Sequence, residues 1–416
     1  MARRSYIVLA LESSCDDSCV ALLDKFSPVK PPRIIDHFKK TLNSADLGGI
    51  VPTEAYKYHM STISKLTNEL LLKHNLNSKN PPDLICVTRG PGMSGSLSSS
   101  TEFAKGLSVA WNVPLVGVHH MLGHLLTAFL SKSNQPKLGP PNYPFLSLLC
   151  SGGHTMLVLS KSLIDHEIII NTNDIAVGDS LDKCARELGL YGNMLGKELE
   201  MFIDNFTPEE KEEFGHIDVD SKVSNKYNFT IKLPYLTPKH GQHGNNLKFS
   251  FAQFLSNILG YKKENKIDET TRKFIAFKTQ EFIFDHMVDR INKSFKLHGN
   301  EFKSDGKFIG VKDFVCSGGV AANQTLRNKL SNNLKGDLID TESLTFHFPD
   351  LALCTDNAVM IGLAGIEIFE KLKLKTDLSF TPIRKWPINE LLKADGWIKV
   401  EDEEINRVNR VNTVCK

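Results

Sequence analysis

"FLSLLCSGGHTMLVLS", residues 145–160, decides how the chain reads. An apolar run, Phe145 to Cys150, breaks into Ser151-Gly152-Gly153-His154, and a second run, Thr155 to Ser160, returns. That is a buried strand, a tight polar turn and a strand coming back. The start of the chain has the same logic. "YIVLALESS" (6–14) is apolar and then abruptly polar, and "CVALLD" (19–24) reads as its hairpin partner. Two hairpin-first series predict two related lobes with a cleft between them.

Working outward, strands alternate with helices. Apolar positions at helical spacing predict a helix over roughly 54–74. "DLICVTR" (83–89) reads as a strand, "GPGMSGSL" (90–97) as a Gly/Ser loop, "STEFAKGLSVAW" as a helix and "VPLVGV" (113–118) as another strand. The polar, Pro-rich 131–144 reads as a lobe boundary. Later come an irregular insertion near 205–247, a long helix over 268–298, a strand "FVCSGG" (314–319) followed by a helix "VAANQTLRNKL", and a helix within 354–369 that starts near Thr355 or Asp356. Alternation of this kind means α/β architecture. The expected division is an N-terminal lobe over 1–144 and a C-terminal lobe over 145–416, with the tail of the chain free to pack back on the N-terminal lobe.

Composition bounds the function. The chain has 416 residues, 41% hydrophobic and 24% charged, with a net charge of +2. That is ordinary globular composition, and the charge argues neither for nor against nucleic acid. No apolar run reaches the roughly 18 residues that span a membrane. Cys15, Cys19, Cys86, Cys150, Cys184, Cys316, Cys354 and Cys415 form no CxxC pair. They read as reduced, mostly buried thiols of an intracellular protein. "MARRS" is too short for a full transit peptide.

Three kinds of site stand out. Ser151-Gly152-Gly153-His154 and Ser317-Gly318-Gly319 each follow a buried strand. Successive N–H groups in such turns can cradle an anion. "GPGMSGSL" lacks the GK[ST] ending of a P-loop and the GxGxxG spacing of a dinucleotide site. Glu12, Asp16 and Asp17 at a strand end are placed to face a phosphate-bound metal or orient a water; alternatively they are solvated turn acids. His120 and His124, four apart, share one face of a helix, which is a metal-ligand spacing. No Glu follows His120, so the general base of a zinc protease is missing. A third ligand is needed, and Asp356 in "CTDN" is the candidate.

Together, "LESSCDDS" (11–18), "GVHHMLGH" (117–124), "LLCSGGHT" (148–155), "GDSLDK" (178–183), "CSGGVAAN" (316–323), "LCTDNAVMI" (353–361) and "TPIRKWP" (381–387) resemble the tRNA N6-threonylcarbamoyladenosine transferases, the TsaD family. The resemblance implies the two-lobed actin-like ATPase (ASKHA) fold. It implies one divalent metal on His120, His124 and Asp356, with zinc or iron favoured over magnesium by these ligands. It places Ser151, Gly152, Gly153, His154, Thr155, Asp182 and Asn323 at the substrate nucleotide. Glu12, Ser14, Asp16, Ser317, Gly318 and Gly319 are expected near the phosphates or the metal. Leu122 stands where the wider family carries Glu, and "YGNMLGKELE" (191–200) replaces its Gly-Gly-Pro. Both departures resemble the mitochondrial branch, a homodimer without accessory subunits; by position Gly196 and Glu200 replace the missing contacts. The implied location is the mitochondrial matrix, with the cytoplasm as the alternative.

The implied reaction moves a threonylcarbamoyl group from threonylcarbamoyl-adenylate, supplied by a separate synthase, to an adenosine of tRNA. The mixed anhydride already carries a good leaving group, so neither Cys15 nor Ser151 is expected to act as a nucleophile. Two rival readings stay open at this point: an ATPase or small-molecule kinase of the same fold, and a non-catalytic tRNA-binding scaffold.

Overall fold

A computed structural model describes residues 5–130, 138–219, 224–234, 247–298, 307–334, 344–401 and 404. They form two compact units. One comprises the described residues of Met1–Pro141, Ser162–His166 and Pro349–Lys416; the other those of Asn142–Lys161 and Glu167–Phe348.

The first unit begins with β1 (Tyr6–Glu12), β2 (Asp17–Lys25) and β3 (Arg33–Thr41), then α1 (Pro52–Lys73), β4 (Leu84–Gly90), α2 (Ser94–Trp111), β5 (Leu115–His119) and α3 (His120–Leu126). Its sheet runs β3-β2-β1-β4-β5, with β1–β2 and β2–β3 antiparallel and β1–β4 and β4–β5 parallel. Side chains alternate between faces along a strand. Leu9, Leu11, Val20, Leu22, Ile85 and Val87 therefore cluster with Ile63, Leu66 and Leu70 of α1 and Ala104 of α2. Each fully buried side chain of this size contributes about 1.5–3 kcal/mol.

The second unit repeats the plan. Its strands are β6 (Phe145–Cys150), β7 (Thr155–Ser160), β8 (His166–Thr172), β9 (Lys248–Phe249), β10 (Asp313–Ser317) and β11 (Thr345–His347). Its helices are α4 (Val177–Glu187), α5 (Leu195–Asp204), α6 (Pro208–His216), α7 (Ala252–Glu264), α8 (Glu269–Leu297) and α9 (Gln324–Asn333). The sheet order is β11-β10-β6-β7-β8-β9, with β6–β7 antiparallel and β6–β10 and β10–β11 parallel. The hairpin β6–β7 thus occupies the place of β1–β2. The strand order of the first sheet thus recurs in the second. The long α8 supplies Phe274, Ile283, Phe284, Ile291 and Phe295 to this unit's core.

After Pro349 the chain returns to the first unit with α10 (Leu351–Cys354), α11 (Ala358–Glu367) and the strand pair β12 (Leu374–Thr376) and β13 (Trp397–Lys399). α11 lies on the opposite face of the first sheet, against Ala10, Leu23, Cys86 and Val118.

Four expectations need correction. The loop expected over 90–97 turns helical at Ser94, because serines and small residues suit the first turn as well as a loop. The insertion near 205–247 contains α6, opened by a capping box in which Thr207 and Glu210 satisfy each other's backbone N–H groups; residues 220–223 and 235–246 lie outside the described residues. The helix expected to start near Thr355 or Asp356 starts only at Ala358, capped by Asn357, after the break that follows α10. The helix expected from Val320 starts only at Gln324, after a short 3-10 turn.

Helix α11 owes its closeness to glycine. A Cβ at Gly365 would stand 2.3 Å from Cys86 Sγ, and one at Gly362 2.5 Å from Leu23 Cδ1. Exposed Gly106 on α2 has nothing within 4 Å of that position. Gly365→Ala is expected to cost about 1–3 kcal/mol and lower the urea midpoint, whereas Gly106→Ala gains up to about 1 kcal/mol and holds or raises it.

Candidate metal centre

Three pieces of the first unit converge. β1 ends at Glu12 and turns through Ser14. β5 runs without a loop into α3, which carries His120 and His124. Asp356 comes from the break between α10 and α11. There Asn357 caps α11, its Oδ1 accepting from Met360 N at 2.9 Å, while its amide donates to Leu353 O at 3.1 Å and Thr355 O at 2.8 Å. Gly123 lets α3 close on α11, since a Cβ there would meet Met360 Cγ at 3.0 Å.

The outcome is a tight donor set. His124 Nε2 lies 3.1 Å and His120 Nε2 3.5 Å from Asp356 Oδ1. One donor atom of each residue falls within 4.8 Å of the others. Ligands about 2.1 Å from a tetrahedral ion stand about 3.4 Å apart; the two imidazole–carboxylate separations match that, so the three residues are a donor set of the kind that would hold a divalent metal. The far side of His120 is fixed too. Its Nδ1 is 3.2 Å from Glu12 Oε2 and 3.2 Å from Ser14 Oγ. A carboxylate behind a ligating imidazole holds its proton on the far nitrogen and aims the near one. Glu12 is in turn held by Ser14 N at 2.5 Å and by the Thr88 hydroxyl. The spacing of the histidines was legible; Thr88 was not, since nothing near it marks it in sequence.

Electrostatics suit a cation. Burial disfavours charge on His120, but the Glu12 and Asp356 carboxylates overcome it and push its pKa up to about 9. Burial raises the Asp356 carboxyl, but His120 and His124 bring it well below the ordinary range. His124, fully buried, is pushed down, so it stays neutral. Its Nδ1 has no hydrogen-bond partner among the described residues. Asp16 and Asp17 do not join the donor set. Asp17 is an ion pair with Lys39 at 2.5 Å and accepts from the Thr41 hydroxyl at 2.5 Å. The same Lys39 reaches the Asp356 carbonyl at 3.1 Å and the Thr355 hydroxyl at 3.2 Å. It is a cation at the site that sequence reading missed.

The other singled-out residues lie in the second unit. Ser151 Oγ accepts from Gly153 N at 3.3 Å and His154 N at 3.1 Å. A Cβ at Gly152 or Gly153 would meet nothing within 4 Å, so packing alone does not call for glycine there. Thr155 receives Val177 N on its hydroxyl at 2.8 Å, seating the start of α4 beside the turn. Gly318 has φ +100°, and a Cβ on it would meet Cys150 O at 2.3 Å, so only glycine fits. Ser317 Oγ is buried with no hydrogen-bond partner among the described residues; Gly319 opens the following 3-10 turn. Asp182 accepts from Gly196 N at 2.6 Å, and Glu200 from Gln324 N at 2.8 Å. Asn323 is spent on protein, capping α9 at Leu326 N and donating to Gln280 Oε1 at 3.1 Å.

Comparison with known proteins adds the family. Residues 34–363 match the model of the tRNA N6-adenosine threonylcarbamoyltransferase family, TsaD. The mitochondrial tRNA N6-adenosine threonylcarbamoyltransferase of Schizosaccharomyces pombe is 33% identical over 97% of this chain and 92% of its own length. The enzyme of that name from Dichelobacter nodosus is 31% identical over 92% of this chain and 97% of its own. Among solved structures, component A of the Acidaminococcus fermentans (R)-2-hydroxyglutaryl-CoA dehydratase aligns over 88% of this chain and 98% of its own at 13% identity and a TM-score of 0.45, a likeness too slight to bear on function. The chain belongs to the tRNA N6-adenosine threonylcarbamoyltransferase family.

Three outcomes follow for metal uptake. Glu12→Gln should weaken binding by about 10–100-fold in a chelator competition, and His124→Ala should abolish it. Proton and metal compete for His120. Its pKa is raised, so affinity should rise with pH by about tenfold per unit and level off near pH 9.

Proposed function

We propose that the chain transfers a threonylcarbamoyl group from threonylcarbamoyl-adenylate to N6 of the adenosine just 3′ of the anticodon, in tRNAs that read codons starting with A. The observation that carries this is the family match over 34–363, within which the His120, His124 and Asp356 donor set falls. The adenine amine forms a new bond to the carbamoyl carbon. The bond from that carbon to the phosphate oxygen breaks, AMP leaves, and the amine loses one proton.

The residues supply placement and charge. His120, His124 and Asp356 would hold one divalent metal, zinc or iron in preference to magnesium, which when bound acts as a Lewis acid toward phosphate or carbonyl oxygen. Glu12 and Ser14 orient His120. In the second unit, Ser151, Gly152, Gly153, His154 and Thr155, with Ser317, Gly318 and Gly319, form the phosphate-side turns. Asp182, Gly196, Glu200 and Asn323 form the adenosine side, with Asn323 acting through the turn it caps. Positioning of this kind can supply about 7–11 kcal/mol, and one well-placed N–H donor about 2.7–4 kcal/mol. No protein nucleophile is needed. Burial, with Asp16 and Asp356 nearby, pushes the Cys15 thiol well above its ordinary value, which keeps it protonated and unreactive.

The wider setting belongs to the same proposal. The donor is made by a separate synthase, the chain works as a homodimer, and it resides in the mitochondrial matrix, the compartment in the name of its fission-yeast relative. No described helix is long and apolar enough to cross a membrane.

Purified protein, threonylcarbamoyl-adenylate and unmodified tRNA should yield the modified nucleoside by mass spectrometry of the digest. His120→Ala and Asp356→Ala should lose it. Phosphate release from ATP as the main activity would instead favour the kinase-like reading. A threonylcarbamoyl adduct trapped on Cys15 or Ser151 would overturn the direct transfer.

A further inference from the structure

We infer that His119, the neighbour of the metal-site histidines, is a positioning residue that fastens the metal-bearing helix α3 to the C-terminal segment of the chain; the inference rests on the metal reading of His120, His124 and Asp356. His119 is buried and stands at the junction of β5 and α3. Its Nδ1 accepts from the backbone N–H groups of Met121 at 3.1 Å and Leu122 at 3.4 Å. An acceptor nitrogen carries no proton, so the ring's proton sits on Nε2. Nε2 faces the Trp386 carbonyl at 2.8 Å, and a carbonyl only accepts. The two bonds together fix one neutral tautomer. The ring also packs on the Trp386 indole, with centroids 4.7 Å apart.

The anchor at the other end is firm. Trp386 belongs to a strap that crosses the end of β4. Arg89, fully buried, donates to Thr381 O at 3.0 Å and to Asp395 O at 2.6 Å, and pairs with the Asp395 carboxylate. Its guanidinium lies 5.2 Å from the Phe380 ring and 5.6 Å from the Trp386 ring. Ile383 N donates to Arg89 O at 2.8 Å. Helix α3, by contrast, has only seven residues. A helix that short has no stability of its own, so its rotation, and with it the aim of His120 and His124, is set by its cap and its neighbours. The strap therefore reaches the donor set through one imidazole.

Cobalt(II) serves as the probe, because its visible spectrum reports ligand geometry. Wild type, His119→Asn and His119→Phe would be compared for cobalt affinity by chelator competition, for spectrum, and for melting of the metal-free protein. Asparagine keeps the helix cap and gives up the tie to Trp386; phenylalanine keeps the packing and gives up both bonds. The expected result is cobalt binding weakened more than tenfold with a changed spectrum in His119→Phe, and partial recovery of both in His119→Asn. Wild-type affinity and spectrum in both variants would overturn the role. If His119→Phe does not fold, His119→Asn decides alone: wild-type affinity and spectrum overturn the role, weaker binding or a changed spectrum upholds it. A wild type that takes up no cobalt overturns the metal centre itself, and this role with it.

Discussion

Two carboxylates and two imidazoles are packed together in the first unit where little water reaches, and its elements are arranged around them. Glu12 and Asp356 are charged and must be compensated. The two carboxylates favour a proton on His120, which offsets part of that charge, and Lys39 adds a second cation at the backbone of Asp356. Burying such charges is costly unless every partner is in place. Each surrounding element answers that demand: β1 stops at Glu12, β5 passes straight into α3, and the chain breaks a helix to present Asp356. The site is thus built from three distant stretches of sequence that meet at the ends of β1 and β5 and the break before α11.

Much of this was legible beforehand, for identifiable reasons. The hairpins β1–β2 and β6–β7 announced themselves because both strands of each are buried on both faces, leaving unbroken apolar runs on either side of a polar turn. His120 and His124 were visible because four residues make about one helical turn. Strand β3 was not visible, since "RIIDHFKKT" is half exposed and its polar residues hide the period. The break at Thr355 was hidden because Asn357 caps α11 from within an otherwise apolar run. Helix α6 was overlooked although Thr207, Pro208 and Glu210 spell its start; an absent hydrophobic period outweighed an end signal that was present. Long-range partners such as Thr88 and Lys39 have no local signature at all, and the tie of His119 to Trp386 has none either, although His119 sits within the histidine stretch.

The second unit shows how little of a turn's purpose its glycines reveal. Gly318 is glycine because β6 passes too close for any side chain. Gly152 and Gly153 meet no such obstacle, and their backbone is exposed. Two turns with the same three letters thus differ in cause: packing demands glycine at Gly318 and does not at Gly152 or Gly153.

The return of the chain to its first unit after Pro349 sets an order of events during synthesis. The sheet of that unit is complete once β5 has been made, yet the face that receives α11 stays bare until about 240 more residues have left the ribosome, at the roughly 5–20 residues per second of translation. The second unit, contiguous but for a few residues, has everything it needs by Phe348. The part made first is therefore finished last, and in the interval Ala10, Leu23, Cys86 and Val118 form an apolar surface for chaperones to shield.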